Sequence, residues 1–448
     1  MIRAGRGVRR ALAAAVRDAV RSGRLAPGTR LPSSRRLAAD LGLARNTVAD
    51  AYGDLVAEGW LTARRGSGTL VTDRMIDRPI PVRPAAEPSG DPCYDLIPGN
   101  PDLSAFPRAA WLKATRRALA AAPDDAFGYG DPRGRPELQA ALADHLARVR
   151  GVDANPEHIL ICAGVSHALQ ILCEVLAGRG ARRVAVESYG PDRHRGLLAA
   201  AGLETFPLAL DAYGTDPVPP DGTDAVLLTP AHQFPVGTTL QRDRRTAVVD
   251  WATRTGGLVL EDDYDGEFRF DQQSVGALQA LAPDRVVYLG TASNTLAPGL
   301  RLAWMALPPT VAAEATAAKG SIDSCAVLSQ LTMAEFITSG AYGHHVRAGR
   351  RRYRHRRDSL VTALAQHAPK VRATGTAAGL HTVLSLPPGT EQRVLHAAVR
   401  EGLKVAGLSQ YRHARSRNVM ADALVVGYGV PSDDVWPQAL SALMRILS

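Results

Sequence analysis

At 448 residues the chain is too long for one ordinary hydrophobic core, so we expect at least two domains. The apolar content of 46% is typical of a globular protein. The sequence contains no run of about 18 uncharged apolar residues, so it predicts no membrane-spanning helix. Residues 1–72 hold 13 arginines, no lysine and 5 acidic residues, and so carry +8 of the formal net charge of +9. A basic excess confined to one small segment predicts a nucleic-acid-binding domain, because phosphate neutralisation releases counterions.

The amino-terminal segment and the cysteines indicate the cellular compartment in which the protein is expected. The first thirty residues carry arginines throughout and lack the apolar stretch of a secretory signal. The four cysteines are far apart and have no metal-ligand spacing, which favours reduced, buried thiols: Cys93, Cys162, Cys173 and Cys325. We therefore expect a cytoplasmic protein without a metal site.

Three helices are predicted in the arginine-rich segment. Apolar residues spaced four apart indicate a first amphipathic helix: Val8, Leu12, Val16 and Val20. Residues 31–42 predict a second helix with Ser33 or Ser34 as its N-cap and Gly42 as its end, and residues 43–55 predict a third. Two short helices joined at a glycine have helix-turn-helix geometry, in which the second helix enters the major groove.

A two-stranded wing is predicted at residues 60–71, which alternate about a Gly-x-Gly turn. A phosphate-binding loop is the less favoured reading of this turn, because no helix follows it. From residue 31 to residue 71 the sequence resembles the GntR-type winged helix-turn-helix almost continuously. The resemblance implies a transcription regulator that contacts double-stranded DNA through Arg35, Arg45, Thr47, Arg65 and Gly66, and the helix-turn-helix geometry adds Asn46 at the start of the third helix.

Residues 73–93 contain five prolines, which predict a semi-rigid linker. Residues 94–448 alternate helical patterns with short apolar runs, which predict an α/β domain with buried strands in a mostly parallel sheet. The apolar runs are Ile159–Cys162, Val184–Val186, Ala225–Leu228, Leu258–Leu260 and Val286–Leu289. The expected organisation is a DNA-binding domain (1–72), a linker (73–93) and an α/β domain (94–448).

The α/β domain resembles the fold-type I, class I/II aminotransferase half of the MocR/GabR subfamily of GntR regulators. The resemblance is carried by Pro98-Gly99-Asn100-Pro101-Asp102, Tyr129-Gly130-Asp131-Pro132-Arg133-Gly134, Thr229-Pro230-Ala231-His232-Gln233-Phe234-Pro235 and Glu261-Asp262-Asp263-Tyr264. It implies a homodimer with a site related to that of pyridoxal phosphate. The winged helix and the aminotransferase-like domain together imply a ligand-responsive regulator.

The resemblance also implies which residues line the site. Tyr129 would reach the phosphate of the partner subunit, and the helix start at 164–166 and Arg301 would hold the phosphate. Asp262 would pair with the pyridine nitrogen, and Tyr264 would contact the ring hydroxyl. The complete set of expected ligand-binding residues is Tyr129, Gly164, Val165, Ser166, Tyr189, Gln233, Asp262, Tyr264, Ser293, Asn294 and Arg301. Two alternatives stay open: Ser166 as a simple helix cap, and residues 261–265 as an acidic loop without a ligand.

Position 294 departs from the resemblance most clearly. Relatives have a lysine after the serine of the segment Ser293-Asn294-Thr295-Leu296, and that lysine bonds covalently to pyridoxal phosphate. An asparagine amide cannot form this bond. None of the four lysines in the chain lies in a matching segment: Lys113, Lys319, Lys370 and Lys404. We therefore expect no catalytic residue and no covalent pyridoxal phosphate, although non-covalent pyridoxal phosphate or another anionic effector remains open.

Two further departures concern the ring and the substrate. Relatives place a stacking tyrosine where this chain has Pro191, with Tyr189 two residues away. The arginine that holds a substrate carboxylate in aminotransferases has no defined position, although three candidates lie near the carboxyl end: Arg412, Arg415 and Arg417. These departures suggest a site that has moved away from amino-acid chemistry.

A dense arginine run at residues 347–357 lies on a predicted helix. A solvated helix face is the favoured interpretation, and a secondary DNA contact is the alternative.

The main prediction is a ligand-responsive, DNA-binding transcription regulator with a catalytically inactive aminotransferase-like sensor. The alternatives are a pyridoxal-phosphate-dependent aminotransferase with a DNA-binding appendage, or a ligand-independent DNA-binding dimer.

Overall fold

The computed structural model describes residues 7–64, 68–72, 94–211, 213–270, 275–320 and 325–448. The chain divides into two compact units, Met1–Gly90 and Asp91–Ser448. Within the described ranges no helix has both the length and the apolar character needed to cross a membrane. The predicted wing-tip contacts Arg65 and Gly66 and the linker at 73–93 lie outside the described residues.

The first unit contains a helical core and a small sheet. Its elements are α1 (Val8–Arg21), β1 (Arg30–Leu31), α2 (Ser34–Leu41), α3 (Arg45–Ala57), β2 (Leu61–Arg64) and β3 (Gly68–Val71). The apolar stripe of α1 is buried against α3, where Val48 and Leu55 are fully buried. Ser33 caps α2 by accepting a hydrogen bond from Arg36 N, and Gly42 ends it in the left-handed region.

The wing is larger than the sequence predicts. Its sheet has three strands in the order β1-β3-β2, because Arg30 and Leu31 pair antiparallel with Leu70 and Thr69. Leu31 belongs to this added strand and packs into the core of the unit, and the second helix begins directly after its predicted cap Ser33.

The second unit is an α/β fold. Its helices are α4 (Arg108–Ala121), α5 (Pro136–Arg150), α6 (Val165–Gly178), α7 (Asp192–Ala200), α8 (Arg242–Thr255), α9 (Pro309–Lys319), α10 (Val327–Thr338), α11 (Ala341–His367), α12 (Glu391–Arg400) and α13 (Trp436–Leu447). Its strands are β4 (Tyr94–Asp95), β5 (Ile159–Cys162), β6 (Arg183–Val186), β7 (Glu204–Pro207), β8 (Leu210–Asp211), β9 (Gly214–Thr215), β10 (Ala225–Leu228), β11 (Leu258–Asp262), β12 (Val286–Thr291), β13 (Ala303–Ala306), β14 (Arg372–Thr374), β15 (His381–Ser385), β16 (Leu403–Lys404), β17 (Ala406–Gly407) and β18 (Ala423–Gly427).

A seven-stranded sheet in the order β5-β13-β12-β11-β10-β6-β7 forms the centre of this unit. Only β13 runs against the others, so the sheet is mostly parallel as the sequence predicts. The five strands predicted from apolar runs are all present, and β7 and β13 were missed. Because parallel strands end at one edge, the segments after β5, β6, β10, β11 and β12 meet there.

A four-stranded antiparallel sheet, β14-β15-β18-β17, forms a smaller layer near the carboxyl end of the chain. The first strand of the unit, β4, pairs with β16 beside it, with Tyr94 opposite Leu403. Leu96, directly after β4, is fully buried in a hydrophobic cluster that contains residues of both sheets, so the start of the unit is fixed in place.

Candidate functional site

The helix start after β5 forms one end of the candidate site. Gly164 is the N-cap of α6 with φ +103°, and a Cβ placed there would lie 2.8 Å from Nη2 of Arg301. Glycine is therefore required for the approach of the Arg301 guanidinium, which donates to the carbonyl of Ala163. The first turn of a helix leaves backbone N–H groups without intrahelical acceptors, so this arrangement is suited to an anion.

A second guanidinium reaches the same helix start from α7. Arg193 donates through Nη2 to the Ser166 hydroxyl. Ser166 does not cap α6, because the N-cap is Gly164 and no side chain accepts a capping hydrogen bond. The structure thus gives Ser166 a different contact from the simple cap that the sequence left open. Arg193 was missed in the sequence because nothing local links α7 to α6.

Asp262, at the end of β11, is buried, and its Oδ1 has no hydrogen-bond partner among the described residues. Burial, followed by the nearby charges of Asp263 and Asp265, raises the pKa of Asp262 to about 7. Asp262 lines a cavity of about 30 Å³, which is room for one water. A buried carboxyl oxygen without a donor is costly, so Asp262 is suited to pair with a protonated ring nitrogen.

The same cavity contains Glu187 and Pro191. Burial raises the pKa of Glu187 to about 8, and its carboxyl group accepts from the Thr229 hydroxyl at 2.5 Å. Glu187 was not singled out in the sequence, although it directly follows a buried strand. Pro191 lies at the cavity where relatives carry the stacking tyrosine.

Asn294 lies after β12 and is buried, with 7% of its surface exposed. Its Nδ2 donates to the main-chain carbonyl of Tyr264 at 3.0 Å. Ser293 is held by the Thr291 hydroxyl, which contacts both its backbone N–H and its side chain. Position 294 therefore connects the loop after β12 to the loop after β11.

Tyr264 belongs to a buried polar cluster. Its hydroxyl donates to the carbonyl of His232 at 3.0 Å and lies 3.1 Å from His232 Nδ1. His232 Nδ1 lies 2.8 Å from Asp265 Oδ2, and the His381 ring packs against the His232 ring at a tilt of 39°, with ring centroids 5.0 Å apart. His232, Asp265 and His381 each have one potential metal-ligand atom, and these three atoms lie within 4.8 Å of one another. Their side chains already form hydrogen bonds within the protein. The cluster therefore fixes the loops after β10 and β11.

Gln233 and Tyr189 are placed away from the Asp262 cavity. The Gln233 amide donates to the carbonyls of Tyr189 and Phe234. The Tyr189 hydroxyl accepts from Met420 N at 2.9 Å and lies 3.4 Å from the Asn418 carbonyl. Both side chains thus connect the turn after β6 to its surroundings, and neither lines the cavity beside Asp262. Tyr129 is 92% exposed in this single chain.

In the first unit, the amino end of α3 presents the predicted recognition residues. Arg45 and Asn46 are exposed, Thr47 is half-buried, and the N-cap Ala44 supplies no capping side chain. Arg35 is exposed on α2, and Tyr52 of α3 donates to the carbonyl of Pro32 at 3.1 Å, which fixes the two helices together. These side chains are free to reach base edges and phosphates.

Comparisons with known proteins agree with this two-unit organisation. Residues 8–71 match the family "Bacterial regulatory proteins, gntR family", and residues 94–416 match "Aminotransferase class I and II". The HTH-type pyridoxine biosynthesis transcriptional regulator PdxR of Corynebacterium glutamicum is 33% identical over 438 residues, which cover 97% of this chain and 94% of that protein. The probable rhizopine catabolism regulatory protein MocR of Rhizobium meliloti is 32% identical over 426 residues, covering 89% and 86%.

Solved structures support the fold of the second unit. An archaeal alanine:glyoxylate aminotransferase superposes with a TM-score of 0.71 over 80% of this chain and 91% of that chain, at 24% identity. A likeness at this identity establishes the fold-type I architecture alone. Any chemistry must be inferred from the residues of the site.

Proposed function

Because the chain belongs to the GntR family of bacterial regulators that carry an aminotransferase class I and II domain, we propose that it is a DNA-binding transcription regulator whose second unit senses a ligand without catalysing transamination. The observation that carries the second part is Asn294, buried at the edge of the sheet and bonded to the carbonyl of Tyr264. The fold is one that typically binds pyridoxal phosphate.

DNA recognition is assigned to the amino end of α3. The exposed side chains of Arg45 and Asn46, with Thr47, would contact base edges and phosphates in the major groove, and Arg35 would contact the backbone. The wing-tip residues Arg65 and Gly66 are proposed from the resemblance alone. A bacterial regulator that binds chromosomal DNA would act in the cytoplasm.

The proposal of an inactive site rests on nucleophile chemistry. When bound, pyridoxal phosphate withdraws electrons from a substrate carbon, and the protein must supply an amine that exchanges with the substrate and moves a proton. The Asn294 amide has neither a basic lone pair nor a transferable proton at neutral pH. It can only donate and accept hydrogen bonds, so it supports binding and not turnover.

The donor and acceptor groups present suit a non-covalently held anion with a cationic nitrogen, and the cavity of about 30 Å³ beside Asp262 would have to open to admit a ring. Arg301, Arg193 and the start of α6 would hold a phosphate or carboxylate. The unpartnered Oδ1 of Asp262 would accept a hydrogen bond from a protonated ring nitrogen. Pyridoxal phosphate has both groups, and so do other phosphate-bearing heterocycles.

A homodimer is proposed from an exposed apolar face. Leu112 and Leu119 lie two turns apart on α4 and are 50% and 51% exposed. Phe127 is 52% exposed, and Tyr129 nearby is 92% exposed, which supports its reaching a partner subunit.

Calorimetry with pyridoxal phosphate tests the ligand proposal on the wild-type chain, on Arg301→Ala and on Asp262→Asn. We expect saturable binding by the wild type and weaker binding by both variants. Absorbance before and after borohydride, with peptide mass mapping, tests the absence of a covalent bond. A pyridoxyl adduct on a wild-type lysine would contradict the inactive site. Absence of heat with pyridoxal phosphate and with pyridoxine phosphate would favour the ligand-independent alternative.

A further inference from the structure

Six of the seven arginines in the run at 347–357 fall into two sets on α11, and the seventh, Arg357, is half-buried. Three arginines of the run turn inward and are bonded: Arg350 to the carbonyl of Glu267, Arg352 to Asp433, and Arg356 to Asp102 and Asp433. The fully buried Arg356 also donates to the carbonyl of Tyr428. This half of the run has a structural role, so the solvated-face interpretation from sequence does not apply to it.

The other set faces outward. Arg347, Arg351 and Arg354 are exposed, and for none of them does the described part of the chain provide a hydrogen bond or an ion pair. Their spacings of four and three residues place them on one side of the helix, along roughly 10 Å of its axis. The one acidic residue on this face, Asp358, lies one turn after Arg354 and forms no ion pair with it.

Charge arrangement distinguishes this stripe from an ordinary exposed helix face. Such faces usually alternate signs at spacings of three and four, because opposite charges there attract and like charges repel. Here three like charges are neighbours, and within the described residues none of the three arginines has an ion-pair partner. The planar guanidinium binds phosphate oxygens in pairs, and a row of phosphates would remove the repulsion.

We infer that the outward stripe of Arg347, Arg351 and Arg354 on α11 is a second DNA-contact surface, which binds the phosphate backbone of duplex flanking the site that the winged helix occupies. The inference rests on the proposed function, because it takes DNA as the partner of the first unit. A phosphate-only contact carries no sequence information. It would strengthen binding to long duplexes and leave the choice of sequence to α3.

The test uses the full chain and two duplexes with one common centre, selected by the wild-type protein from random-sequence DNA. The short duplex is the shortest that the wild type still binds, and the long duplex adds about two helical turns, ~20 bp, on each side. We expect the wild type to bind the long duplex more tightly. In the triple variant Arg347→Gln, Arg351→Gln, Arg354→Gln this gain should disappear, and the slope of log affinity against log salt on the long duplex should fall by up to ~2.7.

A matched control removes the same charge elsewhere on the second unit. Arg372, Arg393 and Arg400 are exposed and have no side-chain hydrogen bond or ion pair in the described part of the chain, so Arg372→Gln, Arg393→Gln, Arg400→Gln should keep the gain. An equal loss in both triple variants, a triple stripe variant that gains as much as the wild type, or a wild type without any gain would each overturn the inference. Failure of the wild type to select any duplex would instead contradict the DNA-binding function.

Discussion

At position 294 the difference between an amide and an amine decides whether the site can hold its ligand covalently. The Asn294 side chain is buried, and its Nδ2 donates a hydrogen bond to the Tyr264 carbonyl. A lysine in the same place would have a nucleophilic nitrogen, provided that burial keeps part of it unprotonated. The residues proposed to hold an anion, Arg301 and the start of α6, are unchanged by this substitution.

The variant Asn294→Lys should therefore regain covalent chemistry. With pyridoxal phosphate added, we expect a yellow species that borohydride fixes to the peptide containing position 294, as read by mass spectrometry. Gln438→Lys, on the exposed surface of α13, is the control for non-specific labelling of an added lysine. Equal labelling of the two variants would show that the site no longer accommodates the cofactor.

Asp262 gives the second prediction at this scale. Its pKa of about 7 in the folded chain exceeds the ordinary value of 3.8, so the folded state binds more protons between these pH values. The contribution of this group to stability, on the order of 4 kcal/mol, should therefore be lost as pH rises from about 4 to about 7. Asp262→Asn should make the fall in stability shallower. It should not abolish the fall, because burial also raises the pKa of Glu187 to about 8.

Urea unfolding followed by circular dichroism at pH 4.5, 6 and 7.5, values chosen to span roughly that window, measures the effect. Asp250→Asn changes an exposed aspartate on α8 and should reproduce the wild-type pH dependence. An Asp262→Asn curve parallel to that of the wild type would mean that this carboxyl group is already ionised in the folded state at low pH.

At the scale of elements, α3 carries the most direct prediction. Arg45→Ala removes an exposed guanidinium from the first turn of the recognition helix and should weaken binding to the selected duplex by ~1–3 kcal/mol. Arg10→Ala removes the same charge from the exposed face of α1 and should cost less. Gel-shift titrations at one salt concentration compare them, and equal losses would argue against α3 as the reading helix.

Sequence patterns located the elements with strong periodicity and missed those without it. The stripe of α1 and the five buried strands were readable because whole runs are apolar. The strand β7 was missed because it is half-exposed and ends in Pro207, whereas β13 was missed although its run is as apolar and as buried as the five that were predicted. Its reversed direction leaves no local signal, because strand direction depends on the path of the chain.

The site divides in the same way. Residues at strand ends, such as Gly164 and Asp262, could be predicted because motif and strand adjoin in sequence. The contact of Arg193 with Ser166 and that of Tyr189 with Met420 could not, because each joins segments that only the tertiary fold brings together. Tyr189 was suggested as a neighbour of the cofactor ring only from its place in the sequence, next to Pro191. In the structure its hydroxyl contacts Met420 N and the Asn418 carbonyl.

At the scale of the whole molecule, the exposed face of α4 predicts assembly. Leu119→Glu places a charge on this face and should shift the chain from dimer to monomer in sedimentation velocity at micromolar concentration. Val399→Glu alters a residue on α12 that is 77% exposed, and it should leave the sedimentation coefficient unchanged. A dimer that survives Leu119→Glu would place the interface elsewhere.

The attachment of β4 has a mechanical consequence. Tyr94 N and Leu96 N donate to the carbonyls of Gly402 and Lys404 at 2.8 Å, and the Leu96 carbonyl accepts from Gly427 N at 2.7 Å. The start of the second unit is thus hydrogen-bonded to β16 and to β18, a strand of the four-stranded sheet, and not to the strand that bears Asp262. We therefore propose that a ligand which moved the smaller sheet against the larger one would move this attachment point with the smaller sheet.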